Sequence, residues 1–462
     1  MVELRLDQVA EKTKGEILQG SPSLVFSKFN IDSRQTEPRE LFFAIKAQRN
    51  GHDFVPAAFK KGASGAVISE EIPAPSKDLA LVRVGDTLQA LQELARQVLL
   101  DFKVPVIGIT GSNGKTTAKE FTSSILEQKY QVLKSEGNYN NSLGLPLTLL
   151  KLAGRDKIAV LEMGMSKPGE IRTLTRIAPP DIAVITNINP VHLAFFNSVE
   201  EIALAKREIL EGTKENGTAV LNGDDPLVKK ISRDWKGKRI YFGLSPGCDL
   251  CAVNIRKNGF EGMTFDLVHG ERREEVHFPF FYESFLYNLL AALGVAFSLS
   301  FSLEEIAPQI PKLSHFSMRG TLIRFEKNIK LVDDSYNSNP NALDQALRGL
   351  ASLPARRKIA VLGDMLELGE KEAEYHFQAG KHAAQYGWDI LVNVGPLSPH
   401  MVEGALSEGL RREQVFSFPD SEEAADAIPS IIKEGDFILV KGSRGMKMEK
   451  VVERLKETLK RM

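Results

Sequence analysis

Cysteine is nearly absent from this chain. Two occur among 462 residues, Cys248 and Cys251, both in the tetrapeptide CDLC. One such pair, without a second pair or a Cys/His partner at ligand spacing, is a weak signal for zinc or redox chemistry. Neither sign of charge is in excess, with 59 Lys plus Arg against 60 Asp plus Glu. No global field therefore recruits nucleic acid or an anionic membrane, and partners must be selected locally. No run approaches the roughly 18 apolar residues of a membrane span. The opening MVELRLDQVAEKTKG lacks the form of a signal peptide, so a cytoplasmic protein is expected. No short-period repeat or low-complexity tract occurs. What is present is ordinary globular composition, 43% hydrophobic, enough to fill several cores. At about 100–200 residues per domain the length suggests two to four domains.

Three segments follow from the pattern. In residues 1–84, short apolar runs such as LFFAI and GAVIS alternate with polar turns, predicting a small α/β unit. GDTLQALQELARQVLLDF then places Leu88, Leu91, Leu94, Ala95, Val98 and Leu99 at helical spacing, with Asp86 as N-cap and Gln89 completing a capping box. This helix opens a second domain, 85–314, in which VPVIGIT, KIAVLEM, DIAVITNI and TAVLNGDD are strand-like and separated by helical stretches. That alternation predicts a mainly parallel sheet with helices on its faces. A hairpin is expected around His269-Gly270. A third segment, 315–462, repeats the α/β pattern through IKLVDDS, RKIAVLGDM, DILVNVG, QVFSFPD and DFILVKGS. The charged stretch ELGEKEAEYH reads as the solvated face of a helix start.

The stretch VIGITGSNGKTTAKE, residues 106–120, resembles a phosphate-binding loop with a displaced glycine. The form G-x-x-x-x-G-K-[ST] requires its first glycine at position 109, which is Ile109 here; the nearest glycines are Gly108 and Gly111. The context is nevertheless right. A β-branched strand runs into a turn of small residues and then into a helix, an order that offers backbone N–H groups and a helix N-terminus to an anion. Lys115 supplies a cation for terminal phosphates, and the Thr116 hydroxyl can ligate Mg²⁺. The G-x-G-x-x-G spacing of dinucleotide sites is missing, which argues against a redox cofactor.

In open α/β sheets, ligands gather outside the carboxyl ends of the strands. Glu162 ends KIAVLE, Asn187 ends DIAVITN, and His192 lies just beyond, so all three can face the loop. A carboxylate and an imidazole beside phosphates suit Mg²⁺ or Mn²⁺. His192 by itself would read as a structural histidine; its position relative to Glu162 makes it a candidate ligand. Lys206, in EEIALAKREIL, sits in a helix where lysine is ordinarily solvated, and physics alone does not select it.

TGSNGKTT resembles the ATP loop of the Mur ligases, the amide-forming enzymes of bacterial cell-wall precursor synthesis, whose glycine pattern is the one found here. The resemblance extends through SEGNYNNSLGLPLTLL, LEMGMSKPGEI, ITNINPVHLAFFNSVEEIALAKREI, DDSYNSNPNAL, LGDMLELGEKEAEYH and VKGSRGMKMEKVV, and IDSRQTEPRELFFAIKAQRNGHDF resembles a uridine-nucleotide domain. NYNNSLGLP and SYNSNP resemble the branch that adds D-alanyl-D-alanine to UDP-N-acetylmuramoyl-tripeptide, as distinct from sisters that add one amino acid. The resemblance implies a three-domain α/β fold: a UDP-substrate domain, a central P-loop-type ATPase domain and a Rossmann-like C-terminal domain.

It also implies residue roles. Gly111, Ser112, Asn113, Gly114, Lys115, Thr116 and Thr117 would hold the ATP phosphates, with Thr116, Glu162 and His192 binding two Mg²⁺ ions. Lys206 would be carbamylated, since a bare ammonium repels Mg²⁺ whereas a carbamate attracts it. Asn288 would contact adenine, Arg319 would reach ATP from the domain boundary, and Asp334 would bind ribose. Ser33, Arg34, Asn138, Asn140 and Asn141 would contact the nucleotide-peptide, and Asn337 and Asn339 would lie near the dipeptide. A monomer is implied. Two departures are visible: Tyr282 and Ser284 replace a glycine and a histidine before Asn288, and Ala47 and Asn50 replace glycine and aspartate. The rival expectations are a sister ligase or a folylpolyglutamate synthetase-like ligase adding one amino acid, and a non-catalytic ATP-binding protein.

Overall fold

The computed structural model describes residues 2–72, 76, 79–191, 195–314 and 316–460. The first region is a five-stranded sheet in the order Glu16–Gln19, Ala80–Arg83, Gly65–Ile68, Glu40–Phe43, Lys28–Asn30, parallel except at its Glu16–Gln19 edge. Asn50, one of the two departures, caps the short turn Gly51–Phe54 by accepting from the backbone N–H of His52 at 3.1 Å.

Helix Thr87–Phe102 follows, and Asp86 caps it by accepting from Leu88 N and Gln89 N at 2.8 and 2.9 Å. The reciprocal bond expected from Gln89 is not made; Gln89 instead lines a cavity of about 350 Å³. The helix buries Leu91, Leu94, Ala95, Val98 and Leu99 in one apolar core that runs from Val2 to Ile231. It therefore joins the first region to the second.

The second region is a nine-stranded sheet with Val106–Thr110 lying between Ile158–Glu162 and Ile182–Ile185, all parallel. Strands such as IAVLE and IAVI are buried along their whole length, as interior parallel strands with two covered faces must be. Alternation divides their side chains. Ala159, Leu161, Ala183 and Ile185 join the core shared with the first region, whereas Ile158, Val160, Ile182 and Val184 pack on the other face with helices Lys115–Leu126 and Glu283–Ser298. The expected hairpin, Met263–His269 with Arg272–Phe278, is present and extends this sheet by antiparallel pairing.

The third region is a six-stranded sheet, Thr321–Phe325, Ile329–Asp334, Asp436–Lys441, Arg357–Gly363, Ile390–Val394, Val415–Phe418, antiparallel only at its first pair. The stretch ELGEKEAEYH is exposed over its acidic residues but ends in buried His376, which accepts from Met365 N at 2.9 Å. Trp388 is 1% exposed and its indole N–H donates to Leu347 O at 3.1 Å. Trp388→Ala is expected to cost about 3–5 kcal/mol of stability, read as the shift of a denaturant midpoint.

Candidate active site

The strand ends determine the site. The turn after Val106–Thr110 lies between the ends of its two neighbours, and the segment after Ile182–Ile185 holds it in place. Ser112 N donates to Asn187 O, Asn113 N to Asn187 Oδ1, and Ser112 Oγ to Asn189 O, each at 2.9 Å. Thr186 Oγ1 donates to Asn113 O at 2.6 Å. Gly111 and Gly114 are required by contact and by backbone. Their φ angles are +153° and +81°, and a Cβ would come within 1.9 Å of Thr186 Oγ1 and 2.1 Å of Asn288 Oδ1 respectively. Asn288, buried on helix Glu283–Ser298, thus packs directly on the turn.

A chain of hydrogen bonds crosses the turn. Arg319 Nη2 donates to Thr116 Oγ1 at 3.0 Å, Thr116 Oγ1 donates to Glu162 Oε2 at 2.8 Å, and Asn140 Nδ2 donates to Glu162 Oε1 at 2.8 Å. Asn339 of the third region donates to Asn113 Oδ1 at 2.5 Å. Lys115 Nζ donates to the loop's own carbonyls, Gly111 O at 2.8 Å and Ser112 O at 3.2 Å. Desolvation pushes its ammonium below the ordinary lysine value, opposed by Glu162 and assisted by Arg319.

These residues line one cleft of about 1120 Å³. Ser112 to Thr117, Asn138, Asn140, Asn141, Glu162, Asn288, Arg319, Asp334, Asn337 and Asn339 all face it. Ser33 and Arg34 do not line it; Ser33 is buried in the first region and Arg34 pairs with Asp32 at 2.8 Å. His192 lies outside the described residues.

Lys206 departs from the expectation of a solvated helical lysine. It is 2% exposed, on the buried face of helix Val199–Glu211 with Ile202, Ala203 and Ile209, and it does not line the cleft.

Other cleft residues escaped the sequence reading. Lys441 ends its strand, lines the cleft, and pairs with Asp334 at 2.6 Å, while the guanidinium of Arg319 stacks 4.1 Å from the ring of Tyr336. Asp224 accepts from Tyr287 Oη at 2.9 Å. The strand-end rule could have found Lys441 and Asp224, since each closes or directly follows an apolar run. Tyr282 precedes helix Glu283–Ser298 with its hydroxyl buried and unpartnered among the described residues, and desolvation pushes its phenol well above 10.0. Burial raises Cys248 to about 11, which keeps it a thiol at neutral pH.

The donor set fits a metal nucleotide. Among the described residues no group of three or more His, Cys, Asp or Glu gathers, but Mg²⁺ takes few protein ligands and draws the rest from water and phosphate. Thr116 and Glu162 supply adjacent oxygens at the mouth of the anion-binding turn. Asn113 Nδ2 is buried with no partner among the described residues, leaving a donor free beside the turn.

Comparison with known proteins gives the lineage. The Mur ligase middle domain matches residues 109–296 and the Mur ligase glutamate ligase domain matches residues 318–444. UDP-N-acetylmuramoyl-tripeptide--D-alanyl-D-alanine ligase of Bacillus subtilis is 34% identical over 461 residues, 99% of each chain. The chain belongs to the Mur ligase family. Among solved Mur ligases, MurF of Acinetobacter baumannii matches with a TM-score of 0.90 and 30% identity over 99% of each chain. MurF of Thermotoga maritima, in complex with ADP, matches with a TM-score of 0.81 and 29% identity over 93% of this chain and 97% of that one. The three-domain α/β Mur ligase architecture expected from the sequence is the one observed. No helix among the described residues is long and apolar enough to cross a membrane.

Proposed function

We infer that this Mur ligase joins D-alanyl-D-alanine to UDP-N-acetylmuramoyl-tripeptide with ATP, through an acyl phosphate, in peptidoglycan precursor synthesis. One observation carries the reading. Side chains from three separate stretches, Asn140, Glu162 and Arg319, converge on the Lys115–Thr116 turn, in a chain alike over its full length to ligases of that name.

The roles follow from charge. Residues 111–117 take the ATP phosphates on backbone N–H groups and the Lys115 ammonium. Asn288 faces adenine and Asp334 the ribose. Thr116, Glu162 and His192 would hold Mg²⁺, two ions in all, which would supply positive charge against the phosphates. Lys206 is carbamylated: two desolvated ammonium groups side by side, Lys115 and Lys206, are unfavourable, and an anion at position 206 removes the repulsion. Ser33 and Arg34 take the uridine end, Asn138, Asn140 and Asn141 the peptide end, and Asn337 and Asn339 the incoming dipeptide. The domains divide at 1–84, 85–314 and 315–462, and the working unit is a cytoplasmic monomer.

The peptide carboxylate attacks the γ-phosphorus and ADP leaves. Lys115 and Arg319 stabilise the charge that develops there. The amine of the dipeptide then attacks the acyl carbon, loses a proton, and expels phosphate as the amide forms. Arg319 and Asn339 reach the turn from the third domain, which places that domain to cover the acyl phosphate.

Phosphate release is expected to require both acceptor and dipeptide; rapid ATP hydrolysis with neither present would count against the reading. An ¹⁸O label in the acceptor carboxylate is expected in the released phosphate. A non-catalytic ATP-binding protein transfers no label. A panel of amines separates D-alanyl-D-alanine from the single amino acids of a sister or folylpolyglutamate synthetase-like ligase.

A further inference from the structure

Lys119 is 1% exposed, among the largest fully buried side chains of the molecule, and the reaction derived above does not use it. It lies one turn beyond Lys115 on helix Lys115–Leu126 and does not line the cleft. Its ammonium donates to Ser135 O at 2.6 Å and pairs with Glu120 Oε1 at 2.9 Å. A buried ion pair is a poor source of net stability, since an apolar side chain of similar volume commonly serves as well. The use of this lysine lies in what it holds.

Ser135 follows strand Val132–Lys134 and opens the stretch that carries Asn138, Asn140 and Asn141. It is 1% exposed and held on two further sides: its N–H donates to Val160 O at 3.2 Å, and its hydroxyl accepts from Glu162 N at 3.1 Å. Five residues later Asn140 donates to Glu162 Oε1, and Thr116 donates to Glu162 Oε2, each at 2.8 Å. Thr116 and Lys119 stand on the same helix. The bonds therefore form a closed ring, from the helix through Lys119 to Ser135, along the loop to Asn140, across Glu162 to Thr116, and back to the helix.

We propose that Lys119 is a positioning residue, which sets the asparagine-bearing loop and the Glu162 carboxylate in register with the phosphate-binding helix. The proposal rests on the functional reading above for its kinetic consequence but not for its geometry. Removing the ammonium leaves Ser135 O buried without its donor and opens the ring at Ser135, so that the loop is left tied to the helix only by the half-exposed Lys134–Glu120 pair and the Glu162 bonds themselves. The phosphate turn, held separately by residues 186–189, keeps its shape.

The test compares wild type with Lys119→Met, which keeps length and removes charge, and with Ser135→Ala, which removes the hydroxyl link to Glu162 N. In both variants amide hydrogen exchange at residues 138–142 is expected to accelerate, while exchange in Lys115–Leu126 stays as in wild type. The KM for UDP-N-acetylmuramoyl-tripeptide is expected to rise about tenfold, with the KM for ATP within about twofold. KM does not depend on how much protein folds, so partial unfolding lowers apparent kcat without reproducing this pattern. Unchanged exchange at 138–142 together with equal effects on both KM values overturns the proposal. A wild type that fails to turn over these substrates, with loop exchange still accelerated in the variants, overturns the functional reading and leaves the positioning role standing.

Discussion

Lys115→Ala is expected to lower kcat roughly 10²–10³-fold, the usual loss when one charged donor aimed at a transition state is removed, while the protein remains folded. The ammonium contributes little to the fold. Its bonds are to two carbonyls of its own turn, and its desolvation is opposed by the Glu162 carboxylate and reinforced by the Arg319 guanidinium. Truncation removes two bonds within one turn and a half-buried cation that faces both Glu162 and Arg319, so the melting temperature should change little. Its cost falls on the reaction, because an anionic carboxylate must approach an anionic phosphate and Lys115 stands at the N-terminal turn that receives it. Steady-state phosphate release and a thermal melt on the same preparation check both halves. Activity within threefold of wild type would remove Lys115 from the mechanism.

Lys206→Ala is expected to be as damaging, roughly 10²–10³-fold in kcat, and to recover in part with added short carboxylates. The depressed pKa is the chemical precondition. Below its folded pKa the buried amine is protonated at a cost to the fold. That cost diminishes as pH rises through the folded pKa toward the unfolded value of 10.5, because the unfolded chain then binds more protons. More neutral amine is therefore available near neutrality than a solvated lysine offers. In the proposed modification the neutral nitrogen would add to CO₂, with one N–C bond formed and one proton released, to give an anion beside Lys115. Rescue by acetate or formate, with no such effect on wild type, is the measurement; an unrescued variant with full activity would rule out the modification. Mass spectrometry at high bicarbonate offers a second check.

The contrast between these two lysines shows where sequence reasoning reaches. Lys115 is legible because its role is local: strand, turn of small residues and helix are consecutive in the chain, and the backbone N–H groups that bind an anion come from the same few residues. Lys206 is not, because a helix pattern says which residues share a face but not what distant segments that face packs against. The resemblance to a family supplied what the physics of one helix could not. Gln89 fails in the smaller way that capping boxes do: spacing permits the reciprocal bond, and the alternative of facing a cavity is invisible in sequence. His376 was hidden within a run of charges that did prove exposed.

By itself the chain determined the α/β class, the central strands, and the strand–turn–helix order around Gly111–Thr117, since short apolar runs and glycine placement act over distances of a few residues. Tertiary structure alone decided that Arg319 and Asn339 touch that turn, that Lys206 and Lys119 are buried, and that Ser33 and Arg34 stand outside the main cleft. Those outcomes depend on how sheets stack and which strand ends meet. They are settled by side-chain packing between segments far apart in the chain, which no local pattern encodes.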